Sequence, residues 1–157
     1  MKVRPISSDD IPAATGLLGQ LGYDMAPTEA ARRLDIVLRD PGHRVWVCER
    51  DGSVVGLLHA FFRPALDKAP EVMVQALVVE ASQRSQGIGE RLMEQAEAWA
   101  RSYPSASVSL YSGSARKDAH RFYARIGYTR IATSELMRKQ LAERHGATGP
   151  AGAERES

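Results

Sequence analysis

The sequence predicts an α/β domain organised around one buried strand that runs through a tight glycine turn into a helix. Three observations carry this. The apolar run Val72 to Val79 leads into Arg84-Ser85-Gln86-Gly87-Ile88-Gly89, and the amphipathic run Ile88 to Ala100 leads out of it. Asp51-Gly52 sits between two strand-like stretches and reads as a hairpin turn. Along the whole chain, strand and helix patterns follow in the order strand, two helices, three strands, helix, strand, helix and closing strands.

Taken in order, Lys2 to Ile6 can form a short strand. Ser7-Ser8-Asp9-Asp10 offers N-cap side chains to a helix carrying Ile11, Ala14, Leu18 and Leu21 at helical spacing. Thr28 can cap a second helix with Leu34, Val37 and Leu38 on one face, ended by Asp40-Pro41-Gly42. Arg44 to Glu49 and Ser53 to Phe62 are the hairpin strands, and Arg63 to Glu71, with two prolines and several charges, reads as a loop. Val72 to Val79 is apolar on both faces except at Gln75, as a strand in the middle of a sheet would be. Ile88, Leu92, Ala96 and Trp99 mark the buried face of the next helix, which Tyr103-Pro104 stops. Ser107 to Tyr111 is a further strand. Ala115 to Ile126 is a helix closed by Gly127. Tyr128 to Thr133 and Ser134 to Leu141 make two closing strands or one bent one. The chain from 142 to 157 has no apolar periodicity and reads as a disordered tail, so the domain is 1–141.

Composition excludes several classes. At 43% hydrophobic and 25% charged residues over 157 positions, the chain is ordinary globular material for one domain. A net charge of +2 without a dense Lys/Arg run gives no case for a nucleic-acid partner. Cys48 is the only cysteine, so no intramolecular disulfide and no cysteine metal site can form, and no metal is expected. No signal core or membrane-length run is seen, which makes the cytoplasm the expected location without membrane association.

The glycine turn carries the chemistry. A helix N-terminus presents unpaired N–H groups and a positive dipole end, which suits a phosphate. Gly87 and Gly89 let such an anion approach the backbone. A P-loop would need Lys-Ser/Thr after its second glycine, but Glu90 and Arg91 follow Gly89. A dinucleotide fingerprint would need a third glycine at 92, which is Leu92. What remains, Arg84-x-x-Gly87-x-Gly89 after a buried strand, resembles the acyl-CoA pyrophosphate loop of the GNAT superfamily of N-acyltransferases. A second segment, Arg116 to Tyr128, resembles the Ala-x-x-Phe-Tyr-x-x-x-Gly-Phe/Tyr motif of that superfamily through Ala119, Phe122, Tyr123, Gly127 and Tyr128. The two motifs have the expected separation, and the element order matches from Met1 to about Leu141.

The resemblance implies a GNAT fold: a mixed, mostly antiparallel twisted sheet of six to seven strands flanked by about four helices. It implies acetyl-CoA as co-substrate and transfer of its acetyl group to the primary amine of a small molecule, by direct attack in a ternary complex. Carried over residue by residue, Arg84, Ser85, Gln86, Gly87, Ile88, Gly89 and Glu90 would hold the pyrophosphate. The backbone of Leu77, Val78 and Val79 would pair with the pantetheine arm as an added strand. An N–H near Val78 would face the oxyanion, and Tyr123 would be the general acid for the leaving thiolate. Arg116 stands where the family has asparagine, and can contact a phosphate or be a solvated helix start.

The chain departs from the family at the general base. Many members carry glutamate in the strand before the loop, and here the matching positions are Met73 and Gln75. Glu71 lies one alternation earlier on the face of Met73, either acting through water or standing as an exposed loop charge. His59 and His120 have suitable intrinsic pKa values. In this architecture the acceptor enters between the first helices and the loop after the hairpin, with Tyr23, Met25, Phe61, Phe62 and Arg63 as lining. Two other readings stand beside this one. The missing glutamate suits a non-catalytic acyl-CoA-binding module, and a groove open at both ends would suit a protein or peptide acceptor. The resemblance leaves room for a homodimer.

Overall fold

In the computed structural model, which describes residues 1–104 and 107–143, the elements follow as β1 (Lys2–Pro5), α1 (Ile11–Gln20), α2 (Pro27–Arg39), β2 (His43–Arg50), β3 (Ser53–Arg63), β4 (Glu71–Val79), α3 (Ile88–Ala100), β5 (Val108–Leu110) and α4 (Lys117–Arg125). The strands form one sheet in the order β1-β2-β3-β4-β5. The first four run antiparallel, and β5 lies parallel to β4. This is the mixed, mostly antiparallel α/β sheet with four helices that the resemblance implies.

Local chemistry explains the element ends. Asp51 and Gly52 take positive φ, 50° and 77°, as the hairpin turn requires. Ser7 donates to the Asp10 carboxylate from its N–H (2.8 Å) and its hydroxyl (3.0 Å), stabilising a short 3-10 turn that opens into α1. The second helix begins two residues earlier than a Thr28 cap would set it, with Ala26 at the N-cap, because Pro27 occupies its first turn, where a missing N–H costs nothing.

Each face of the sheet buries its own cluster. On one face, α3 packs Ile88, Leu92 and Ala96 against Trp46, Cys48, Leu58, Val72 and Val74. On the other, Ala14 and Leu17 of α1 cover Val45, Val47, Leu57 and Val78. That second face continues past the helices, where the strand register brings His43, His59, Phe61, Met73, Arg63 and Glu71 side by side.

Three expectations are corrected. Among the described residues the sheet has five strands, because residues 128–143 form no strand. Past Tyr128, which packs on Tyr123, their large apolar residues fall at 131, 136, 137 and 141, without the period of two that a half-buried strand needs, and all four are more than 80% exposed. Arg63 and Glu71 are not loop residues: they pair across β3 and β4, so the hairpin arms extend further and the loop is 64–70. Phe62 does not join Phe61. Neighbouring strand residues point to opposite faces, and Phe62 stacks on Tyr103 beside α3 at 4.0 Å. The expected tail, 142–157, lies outside the described residues from 144 onward.

Candidate active site

The exit from β4 is fixed by its neighbours. The Glu80 N–H donates to the Val55 carbonyl at 2.9 Å. Gln20, at the end of α1, donates to the Glu80 carboxylate (2.8 Å) and accepts from the Ala81 N–H (3.0 Å). The Arg84 Nε then folds back onto the Val79 carbonyl at 3.2 Å. Ser85 and Gly87 take φ of 62° and 80°, and the first bond of α3 runs from the Arg91 N–H to the Gly87 carbonyl. The N–H groups of Ile88, Gly89 and Glu90 are therefore left without helical partners. Arg50 reaches the same loop from β2, bonding to Gln86 and to Gln83 (3.4 Å).

The two glycines differ in what requires them. A Cβ on Gly87 would meet nothing within 4 Å, so the backbone there lies open to an approaching anion. A Cβ on Gly89 would come to 3.1 Å from the Phe122 ring, so this glycine allows α4 to pack against the first turn of α3. Arg84, Ser85, Gln86 and Glu90 are exposed, whereas the Ile88 side chain is core, leaving only its N–H to face a ligand.

Beside this loop β4 has a free edge. β5 pairs with β4 only from Val72 to Val74 and then ends at Leu110. From Gln75 to Val79, one side of β4 has no strand neighbour among the described residues. A bulge sits at the start of this stretch: His59 pairs with Ala76 and Ala60 with Val74, leaving Gln75 unopposed. The side chains of Leu77 and Val79 pack toward α3, and Val78 is buried beneath α1, so the site-facing groups of all three are backbone. An acyl-CoA fits such a place: its amide-bearing arm matches an unpaired strand edge, and its phosphates match the open turn at Gly87.

The two motifs meet through Phe122, which touches Gly89 and leads to Tyr123 at a ring-centroid distance of 5.1 Å. Tyr123 also lies edge-on to Tyr128 at 6.0 Å. Burial pushes the Tyr123 phenol up, against the opposing charge of Arg116, so it keeps its proton at neutral pH. Arg116 is exposed at the N-cap position of α4. His120 is half-buried on the same helix.

The floor beyond α1 and α2 holds the remaining polar groups. Glu71 is 9% exposed, not an exposed loop charge. It accepts from Arg63, from Ser109 and from Lys68 at 3.1 Å. Burial pushes its carboxyl up, but those three donors together outweigh burial and hold it below the usual carboxylate range. Arg63 also bonds with Tyr111, and the Glu71 pairing leaves its charge compensated rather than free. Phe61 and Met73 are cross-strand partners on this floor. Tyr23 and Met25 lie in the connection between α1 and α2, Tyr23 exposed and Met25 half-buried. Ser109, Tyr111 and the bonded pair His43–His59 belong to the floor and were not singled out together by the sequence. No local pattern marks the histidines, because a register shift between Cys48 and Glu49 is what brings them onto one face.

Residues 13–128 match the family described as Acetyltransferase (GNAT) family. The chain is 34% identical over 126 residues to the uncharacterized N-acetyltransferase YhdJ of Bacillus subtilis, covering 80% of this chain and 87% of that one. It is 37% identical over 92 residues to the aminoalkylphosphonate N-acetyltransferase of Salmonella typhimurium, covering 58% of this chain and 60% of that one. Among solved structures, the aminoglycoside N-acetyltransferase AAC(6')-Iy with a CoA bisubstrate analogue superposes with a TM-score of 0.80 at 16% identity, over 89% of this chain and 98% of that one. A family match across most of the chain, a relative covered over most of its length and a shared fold lead to one conclusion: the chain belongs to the GNAT acetyltransferase family and is an acetyl-CoA-dependent N-acetyltransferase.

Proposed function

We propose that the protein moves the acetyl group of acetyl-CoA to the primary amine of a small molecule, by direct attack with both substrates bound. The observation that carries this is the free edge of β4, which ends at an open anion-binding turn and adjoins a polar and aromatic floor. Bound acetyl-CoA supplies the acyl group as a thioester. The N–H groups of Ile88, Gly89 and Glu90 hold phosphate oxygens, with Arg84, Ser85, Gln86 and Gly87 shaping the turn and Arg116 adding charge at its rim. The backbone of Leu77 to Val79 aligns the arm, and the Val78 N–H faces the developing oxyanion. Tyr123, protonated in its half-buried position, donates to the leaving sulfur.

The acceptor lies on the floor, against Phe61 and beneath Tyr23, with the Arg63–Glu71 pair at one end. The relatives named for aminoalkylphosphonates and aminoglycosides support a small amine. Glu71 is tied to three donors, so it positions acceptor or water rather than taking a proton directly. A second reading, a non-catalytic acyl-CoA-binding module, is favoured by one observation: Met73 and Gln75 stand where a strand glutamate would serve as base.

A panel of amines scored by thiol release from acetyl-CoA tests both. The panel includes aminoalkylphosphonates, aminoglycosides, polyamines and short peptides. Release with a small amine, and none with peptides, is expected. Acetyl-CoA binding without release for any amine would establish the binding module instead. Release with peptides alone would move the acceptor to proteins.

A further inference from the structure

We propose that His59 accepts the proton lost by the acceptor amine and that His43 relays it to solvent. The inference rests on the transferase reading and assigns the base that Met73 and Gln75 cannot supply. His43 Nδ1 and His59 Nε2 are 2.9 Å apart, a direct hydrogen bond between two imidazoles. His59 pairs with Ala76, one residue from the Gln75 bulge, where β4 has lost its β5 neighbour. Adjacent strands are about 4.8 Å apart, so His59 stands one strand from the free edge. Its other ring nitrogen, Nδ1, has no hydrogen-bond partner among the described residues. Among the described residues, the buried polar side-chain atoms that lack partners are on Arg63 and Ser112, not on His59.

His43 is placed to pass a proton outward. Its ring stacks on Phe61 at 5.2 Å and 15°, its side chain is 26% exposed, and its Nε2 is 3.8 Å from an Asp40 carboxylate oxygen. Few other charges face the pair. The helices covering this face present apolar Ala14, Leu17, Leu34 and Val37. On α2, Glu29 pairs with Arg32 and Arg33, and Asp35 pairs with Arg39. On β2, Arg44 lies over Trp99 on the opposite face. From β4 the neighbours are Ala76, Gln75 and Met73, and the nearest ionised groups along the floor are the mutually paired Arg63 and Glu71. Burial, helped by the neighbouring His43, pushes His59 down to about 4, so it waits neutral with a lone pair.

The balance is simple. Once the amine nitrogen has bonded carbon it carries positive charge, which makes its N–H acidic, and neutral His59 offers the lone pair that takes the proton. That N–H bond breaks, its electron pair stays on nitrogen, and the proton bonds to His59 Nδ1. The His59 Nε2–H bond breaks, and its proton bonds to His43 Nδ1. His43, now a cation beside Asp40, releases its Nε2 proton to water, which leaves both rings as Nδ1–H tautomers that regain the resting arrangement by proton exchange with water before the next turnover. The resting pair must therefore hold His59 as the Nε2–H tautomer.

Two measurements test this. Long-range 15N–1H correlation on the wild-type protein at pH 7 should show His59 protonated at Nε2 and bare at Nδ1; a proton on Nδ1 instead overturns the relay. With an accepted amine, His59→Gln should lower kcat by about a hundredfold or more, while the melting shift given by acetyl-CoA stays unchanged. His43→Asn should lower kcat less, displace the acid limb of the pH–rate profile, and leave KM for acetyl-CoA alone. If the wild type turns over and both variants keep its rate and profile, the relay is wrong and the transferase reading survives. If the wild type acetylates no amine, the enzymatic reading falls first and the relay with it. If His59→Gln does not fold, the tautomer and the His43→Asn profile decide.

Discussion

The Phe122 ring lies so close to Gly89 that a Cβ there would approach it to 3.1 Å. This contact locks the first turn of α3 to α4, and so joins the glycine turn to the Phe-Tyr motif. Gly89→Val should destabilise the fold by about 1–3 kcal/mol, the usual cost of overpacking. Removing the ring as well should relieve the clash. The double variant Gly89→Val/Phe122→Ala should then cost less than the sum of the singles, by roughly 0.5 kcal/mol or more. Urea melts of the four proteins check it, and strict additivity would show that the two residues do not bear on each other.

Gly87 separates binding from folding less cleanly. Its φ of 80° is one that side chains resist, so Gly87→Val should cost roughly 1–2 kcal/mol without ligand. Its larger effect should be on cofactor. Acetyl-CoA at about a hundred times its Kd should stabilise the wild type by roughly 2.7 kcal/mol, and Gly87→Val should abolish that gain. Thermal melts with and without acetyl-CoA give both numbers, and a variant that keeps the full shift would remove Gly87 from the phosphate site.

Tyr123→Phe keeps the ring packed against Phe122 and Tyr128 and removes one donor. Turnover on an accepted amine should fall by about a hundredfold. Stability should change by only about 1 kcal/mol, the net worth of one hydroxyl's hydrogen bond. An unchanged rate would make the hydroxyl structural, and an unfolded variant would make the residue a core anchor.

His59 should also mark the pH dependence of stability. Its folded pKa, about 4, lies below the ordinary histidine value, so the unfolded chain binds the proton more readily. Stability is therefore complete above the unfolded pKa of about 6.5 and is lost as pH falls from there toward 4, by roughly 3 kcal/mol in all. Asp10 acts in a separate window. Hydrogen bonds from Arg4 lower it to about 2, so its contribution disappears only below the ordinary carboxylate range. Urea melts at pH 7.5 and 4.5 should show a drop in the wild type that is smaller in His59→Gln. Equal drops would assign the loss to other groups.

The two motifs were legible because they depend on local backbone demands. An αL turn needs glycine at 87, and close helix packing needs it at 89. The element order along the chain was legible from apolar runs and helical spacing, and the Asp51-Gly52 turn gave the hairpin its centre. The floor was not. Counting back from that turn would pair His43 with Ala60, but a bulge at Cys48/Glu49 shifts the partner to Phe61 and places His59 on the face of His43. A second bulge at Gln75 changes the side presented by the rest of β4. Bulges conserve composition while changing the face of every later residue, so a period-of-two reading cannot locate them. Glu71 was misjudged for a related reason: its burial depends on Ser109, 38 residues later, and no local pattern announces that bond.

Transfer depends on acetyl-CoA lying along the free edge of β4 with its phosphates at the turn before α3. Amide hydrogen exchange with and without acetyl-CoA reads this directly, because both contacts are backbone contacts. Slower exchange is predicted within Ala76–Val79 and at Ile88, Gly89 and Glu90, with β1 and β2 unaffected. Binding that protects neither segment, or protects amides away from the β4–α3 junction, would contradict it.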